Sequence, residues 1–192
     1  MSDVRIRILE SALALLGESG VAELTQPKVS RAAGISQSHL TYYFPTRADL
    51  LLGVARHAVG EVMARLHETV ARSGSAARGA GVLVAALTDK RNIRVMLGLV
   101  VASDQDRKIK AELRQLVRDV RGVLAREIQA MGGEVDEQAV AALHATAVGL
   151  AVLNLARDNE ESRRDVDTVI RSSLERLVAR PAGKGKRNAR NR

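Results

Sequence analysis

The chain has 192 residues, 46% of them hydrophobic, and no cysteine. That length allows one large domain or two small ones, and the missing thiols exclude disulfide and thiolate chemistry and fit a reducing cytoplasm. The formal charge of +8 is local: Arg180, Lys184, Lys186, Arg187, Arg190 and Arg192 lie in the last thirteen residues, leaving 24 bases against 22 acids elsewhere. Bulk charge therefore does not argue for nucleic-acid binding; only a local site can.

Residues 3–17 read as a first helix, with Val4, Ile8, Ala12 and Leu15 on one apolar face. Asp3, Arg5, Arg7 and Glu10 stand where a signal peptide would need an apolar run, so the N-terminus reads as mature sequence. Gly17 and Gly20 stop the helix. Thr25 reads as an N-cap, with Pro27 tolerable in the first turn of a helix running to Ala33. Gly34 ends that helix and Ser36 caps the next, about 37–43. Pro45 disfavours helical geometry at Phe44, and Thr46 caps a long helix over 47–71. The stretch "SGSAARGAG" at 73–81 reads as a flexible break. Helices over 82–89, 91–103 and 105–131 follow. Asp136 caps another, whose residues 139–156 carry no charge. His144, Thr146 and Asn154 in that run favour a core or interface helix over a membrane span. A last helix covers 162–179. Strand signals are absent, so the fold class is all-α, with about nine helices. The tail "RPAGKGKRNARNR" lacks the apolar residues to fold and reads as disordered.

Two short helices joined at Ala33-Gly34-Ile35-Ser36 form a helix-turn-helix, whose second helix can enter the DNA major groove. Gln37, Ser38 and His39 occupy its N-terminal end. Gln pairs bidentately with adenine, Ser serves either base type, and His donates or accepts by tautomer. The two Tyr and one Phe of the chain, its whole aromatic supply, stand together at 42–44. Leu40 and Phe44 are four apart and share a face, which clamps the helix to the body. Tyr42 and Tyr43 fan outward, where phenols bond phosphate oxygens. Lys28, Thr46 and Arg47 add phosphate donors, and the helix N-termini capped by Thr25 and Ser36 favour an anion.

Enzyme chemistry finds no support. There is no His-Glu-x-x-His and no Gly-rich phosphate loop, and "AGKGKR" lacks the required spacing. His39, His57, His67 and His144 are scattered, and Glu134, Asp136 and Glu137 are explained by capping. No metal or cofactor is expected. A helical small-molecule carrier or scaffold without DNA binding is the competing class.

The stretch from Thr25 to Leu50 resembles the TetR-type transcriptional regulators, whose signature reads T-x-x-x-I-A-x-x-A-G-V-S-x-x-x-L-Y-x-H-F-x-x-K-x-x-L. Thr25, Val29, Ala33, Gly34, Ile35, Ser36, Leu40, Phe44, Arg47 and Leu50 fall in register without a gap over 26 positions. Thr41 stands where the family has Tyr, Tyr43 where it has His, and Ser30 where it has Ala. Beyond residue 50 the likeness is in layout only. The resemblance implies base-reading slots at Gln37, Ser38 and His39, with phosphate slots at Tyr42, Tyr43, Arg47, Lys28 and Thr25. Thr41 reaches a phosphate less far than Tyr would.

The resemblance also implies a DNA-binding domain over 1–46 and a ligand-binding and dimerisation domain over 47–179, with the basic tail at 180–192. It further implies a repressor, cytoplasmic and not membrane-bound. Such a repressor binds a palindromic double-stranded operator as a homodimer and is released by a small-molecule effector. Candidate pocket residues by position are Met63, Leu66, Met96, Leu97, Val100, Leu116 and Val120. With no aromatic after residue 44, a flexible aliphatic or amphipathic ligand is expected in place of a flat cationic one. The last two helices would form the dimer contact, through Ala142, Ala145, Gly149, Leu150, Leu153, Leu174 and Leu177.

Overall fold

The computed structural model describes residues 3–179, so the basic tail lies outside the described residues. These carry nine α-helices: α1 Asp3–Ser19, α2 Gln26–Ala32, α3 Gln37–Tyr43, α4 Arg47–Ser73, α5 Ala76–Thr88, α6 Lys90–Gln105, α7 Arg107–Ala130, α8 Glu137–Arg157 and α9 Glu160–Val178. A short 3-10 helix, Val21–Glu23, links α1 to α2 and was not legible in the sequence pattern.

Most of the boundaries in the head have an identifiable cause. In α1, Ile8, Leu9, Ala12 and Leu16 are buried. Its last carbonyls are satisfied from a distance, because Arg94 of α6 donates to Leu16 O at 3.1 Å and also to Gly17 O. The α2–α3 joint turns at Gly34, whose φ of 65° is the left-handed region that glycine enters without penalty. Ser36 Oγ then accepts from His39 N at 3.2 Å and caps α3. Thr46 and Asp49 form a reciprocal capping box that starts α4. The Thr46 hydroxyl, followed by the Lys108 ammonium, holds the Asp49 carboxyl below its usual range. Thr25 differs from expectation: it has the extended backbone of a cap, but its side chain makes no capping bond.

The expected break at 73–81 shrinks to Gly74 and Ser75. Gly74 alone there takes a positive φ, 56°, and Ser75 Oγ accepts from Arg78 N at 3.4 Å, starting α5 at Ala76. Gly79 stays helical and lies against Leu66 and Val70 of α4, where a bare backbone packs closely. Composition suggested flexibility; packing made a helix of it.

Two apolar clusters organise the molecule. The first joins α1, α2, α3 and the front of α4 to Val95, Leu99 and Ile109 of α6 and α7. The second joins the rear of α4 to α5, the end of α7, α8 and α9. The helix-turn-helix head thus packs onto α6 through α1 and shares its core with Ile109 of α7. Helix α8 has the length and apolarity of a membrane span. It packs here against α5, α7 and α9, with Val140, Leu143 and Ala151 buried.

Candidate DNA-binding surface and cavity

Leu40 is fully buried and Phe44 is 2% exposed, while Gln37, Ser38 and His39 are exposed on the same short helix. The apolar pair therefore anchors α3, and its polar N-terminal end faces solvent. Phe44 lies on Gly53 of α4, and the Arg5 guanidinium stands 5.2 Å from the centre of the Phe44 ring. Gln26 Nε2 donates to Phe44 O at 2.8 Å and to Pro45 O at 3.2 Å. Arg7 Nε donates to Ala33 O at 3.0 Å, pinning the turn to α1. Sequence reasoning missed these braces, because their partners lie 18 to 26 residues away and leave no local periodicity.

The polar residues divide by what already holds them. Tyr42 is 80% exposed and its phenol makes no hydrogen bond among the described residues. Tyr43 is half-buried, with its ring centroid 5.4 Å from His39 and 5.3 Å from Tyr42. Ser38 Oγ shares a 3.0 Å hydrogen bond with Ser36 Oγ. Thr41 Oγ1 donates back to Gln37 O at 3.1 Å and Ser38 O at 2.9 Å, so its proton is committed within the helix. Thr46 Oγ1 donates to Asp49 at 2.7 Å. Lys28 is paired with Glu23. Arg47 donates from Nε to Leu24 O at 2.8 Å and from Nη2 to Val21 O at 2.7 Å. Its guanidinium ties α4 to the 3-10 turn. Ser30 is buried and bonded to Pro27 O, which accommodates it where the family has Ala.

A second feature lies where the two clusters meet. A cavity of about 170 Å³ is lined by aliphatic side chains of α4, α5, α6, α7 and α8, with Ile170 of α9. Met63, Met96, Leu116 and Val120 line it. Leu66, Leu97 and Val100 do not. Leu66 is 1% exposed and packed into the second cluster, while Val100 is 48% exposed on the outside of α6. Helical position alone did not say which side of α4 and α6 the neighbours would cover. Asn92 and His144 also line the cavity, and they are its polar side chains. Asn92 Nδ2 donates to Ala86 O at 3.1 Å. Burial, and then the nearby Arg121 charge, pushes the His144 imidazole below its usual range.

Ala142, Ala145, Gly149 and Leu153 are exposed at spacings of three and four along α8, with Leu153 57% exposed. Leu150 and Leu177 are half-buried. Leu174 is a correction: at 2% exposed it belongs to the subunit's own core and offers nothing to a partner. Asn154 is likewise internal, accepting from Ser162 Oγ at 2.9 Å. No group of three or more metal-ligating side chains is found among the described residues.

Residues 8–54 match the family model described as bacterial regulatory proteins, tetR family. The fatty acid metabolism regulator protein of Bacillus subtilis (strain 168) is 21% identical over 144 residues, covering 69% of this chain and 71% of that protein. A TetR transcription regulator from Haloarcula marismortui superposes with a TM-score of 0.72 at 19% identity, over 92% of this chain and 99% of that one. A transcriptional regulator from Saccharomonospora viridis in complex with choline gives 0.71 at 21% identity, over 91% and 97%. Residues 8–54 thus carry the N-terminal motif of the tetR family of bacterial regulatory proteins, and the described residues share the fold of the solved TetR-type regulators.

Proposed function

We propose that the chain is a transcriptional repressor that binds an inverted-repeat operator as a homodimer and leaves it when a small molecule fills the cavity. The observation that carries this reading is the exposure of Gln37, Ser38 and His39 on a helix held down by Leu40 and Phe44. Side chains so placed reach base edges when the helix enters a major groove. Tyr42 supplies a free phenol for a phosphate, and Lys28 and Arg47 add positive charge around it while already serving the head. The head is residues 1–46, and 47–179 serve ligand and partner. The family is one of regulators, and no catalytic role is assigned.

The exposed apolar row of Ala142, Ala145, Gly149 and Leu153 is the proposed centre of a two-fold contact, its small residues allowing close helix approach. A two-fold pair sets its recognition helices about one DNA turn apart, ~34–36 Å or more. Because the head shares a core with α6 and α7, and both helices line the cavity, a ligand there can shift the head-to-head spacing. Gel shift against the protein's own upstream DNA, with sedimentation of the wild type and Leu153→Asp, tests the reading. Wild type should shift DNA as a dimer, and Leu153→Asp should sediment as a monomer and bind weakly. A monomeric wild type that shifts no DNA would support a helical carrier instead.

A further inference from the structure

The cavity wall is nearly all aliphatic, and no carboxylate lines it. Its one ionisable side chain is His144, which has no hydrogen-bond partner among the described residues. Among the described residues no half-buried or buried side-chain polar atom is both sealed from solvent and unpaired, so the ring nitrogens remain reachable. Helix α7 supplies Leu116, Val117, Val120 and Leu124 to the wall. Arg121 lies one turn from both Val117 and Leu124, on the flank of that lining face. It makes no hydrogen bond or ion pair among the described residues, yet its charge is close enough to act on His144.

Arg121 also ends a row. At ~100° per residue, Arg107, Lys110, Arg114, Arg118 and Arg121 fall within an arc of about 80° on α7 and span about 21 Å. No acid of the helix falls within that arc: Glu112 and Asp119 lie to one side, with Glu112 paired to Arg56 and Asp119 bonded by Gln115. One helix thus presents an apolar wall to the cavity and an adjoining strip of positive charge.

We propose that the effector is an anionic amphipath, with an aliphatic chain in the cavity and an acidic head between His144 and Arg121. This rests on the reading of the cavity as an effector site, and it narrows the ligand class. A cationic head, such as the choline held by the Saccharomonospora viridis regulator, finds here neither a carboxylate nor an aromatic face. An anionic head meets a guanidinium free to pair and an imidazole free to donate. The basic row raises the local concentration of anions near the same helix.

Calorimetry on the full chain without DNA tests the assignment, using decanoate, decan-1-ol and decyltrimethylammonium below their aggregation limits. Decanoate should bind about tenfold tighter than decanol, and the ammonium should not bind measurably. Arg121→Gln should bring decanoate down to the decanol level and leave decanol unchanged, while Arg107→Gln, at the far end of the row, should change decanoate little. The proposal is overturned if the ammonium binds as well as decanoate, if none of the three binds, or if Arg121→Gln weakens decanol equally. Decanoate binding that fails to release the operator would sink the release mechanism and leave the ligand class standing.

Discussion

Replacing Gly53 by Ala builds a methyl carbon 2.6 Å from Cε1 of Phe44 and 3.2 Å from Cδ2 of Leu9. Carbon pairs settle at ~3.5–4.0 Å, so either the ring or α4 must move. On an unobstructed helix the same change would gain about 1 kcal/mol. Overpacking a well-filled core costs about 1–3 kcal/mol. The net expectation is a loss of about 0–2 kcal/mol. Phe44→Leu removes the obstructing ring atom, and Gly53→Ala in that background should turn neutral or stabilising. The pair should therefore couple by about 1–3 kcal/mol, with a change of sign. Phe44→Ala alone should cost ~3–5 kcal/mol by emptying the site. Urea unfolding of the wild type, the three single variants and the Gly53→Ala, Phe44→Leu double variant measures all of this. If Gly53→Ala has the same effect in both backgrounds, Phe44 does not rest on α4, and the clamp that orients α3 is misassigned.

Arg47→Ala removes two hydrogen bonds from a charged donor to the Val21 and Leu24 carbonyls. It should cost about 1–3 kcal/mol of stability in the absence of DNA; an unchanged melting curve would return Arg47 to a purely phosphate-binding role. Thr46→Ala breaks the capping box of α4 and should cost about 1 kcal/mol, read by the same unfolding assay. His144 has a folded pKa below its ordinary value, chiefly through burial. Its unfolded form therefore binds protons more readily, and the stability it contributes is complete above about pH 6.5 and lost as pH falls toward the lowered value. Melts of the wild type and His144→Gln should run parallel above pH 7, with the wild type losing ground as pH falls below about 6.5. Parallel curves throughout would mean His144 is not desolvated.

The head was legible because its signals are short-range. Ser36, Thr46, Gly34 and Pro45 act within four residues, and Leu40 with Phe44 spans one turn, so the order of residues fixes their geometry. Arg47 was not legible in the same way. Its charge suggested phosphate, but the 3-10 turn that receives it forms only after folding, so its two acceptor carbonyls are set by the fold. The cavity was half legible for a related reason. Met63, Met96, Leu116 and Val120 lie on apolar faces that helical spacing makes visible, and the neighbouring helices leave them at the cavity. Whether Leu66 meets a void or a packed neighbour depends on α5, which the glycines at 74, 79 and 81 had disguised as a loop. The exposed row on α8 followed from small residues at helical spacing. Leu174 looked equivalent on α9, yet it packs inward beside Ile170 and Val166.

Selection of DNA from a randomised inverted-repeat library, by the wild type, Gln37→Ala, His39→Ala and Tyr42→Ala, bears most directly on the account. Gln37→Ala and His39→Ala should each change the preferred bases at one position per half-site, at about 1–3 kcal/mol of discrimination. Tyr42→Ala should weaken every sequence alike. Identical preferences in all four proteins, or no selection by the wild type, would contradict the claim that the exposed end of α3 reads DNA.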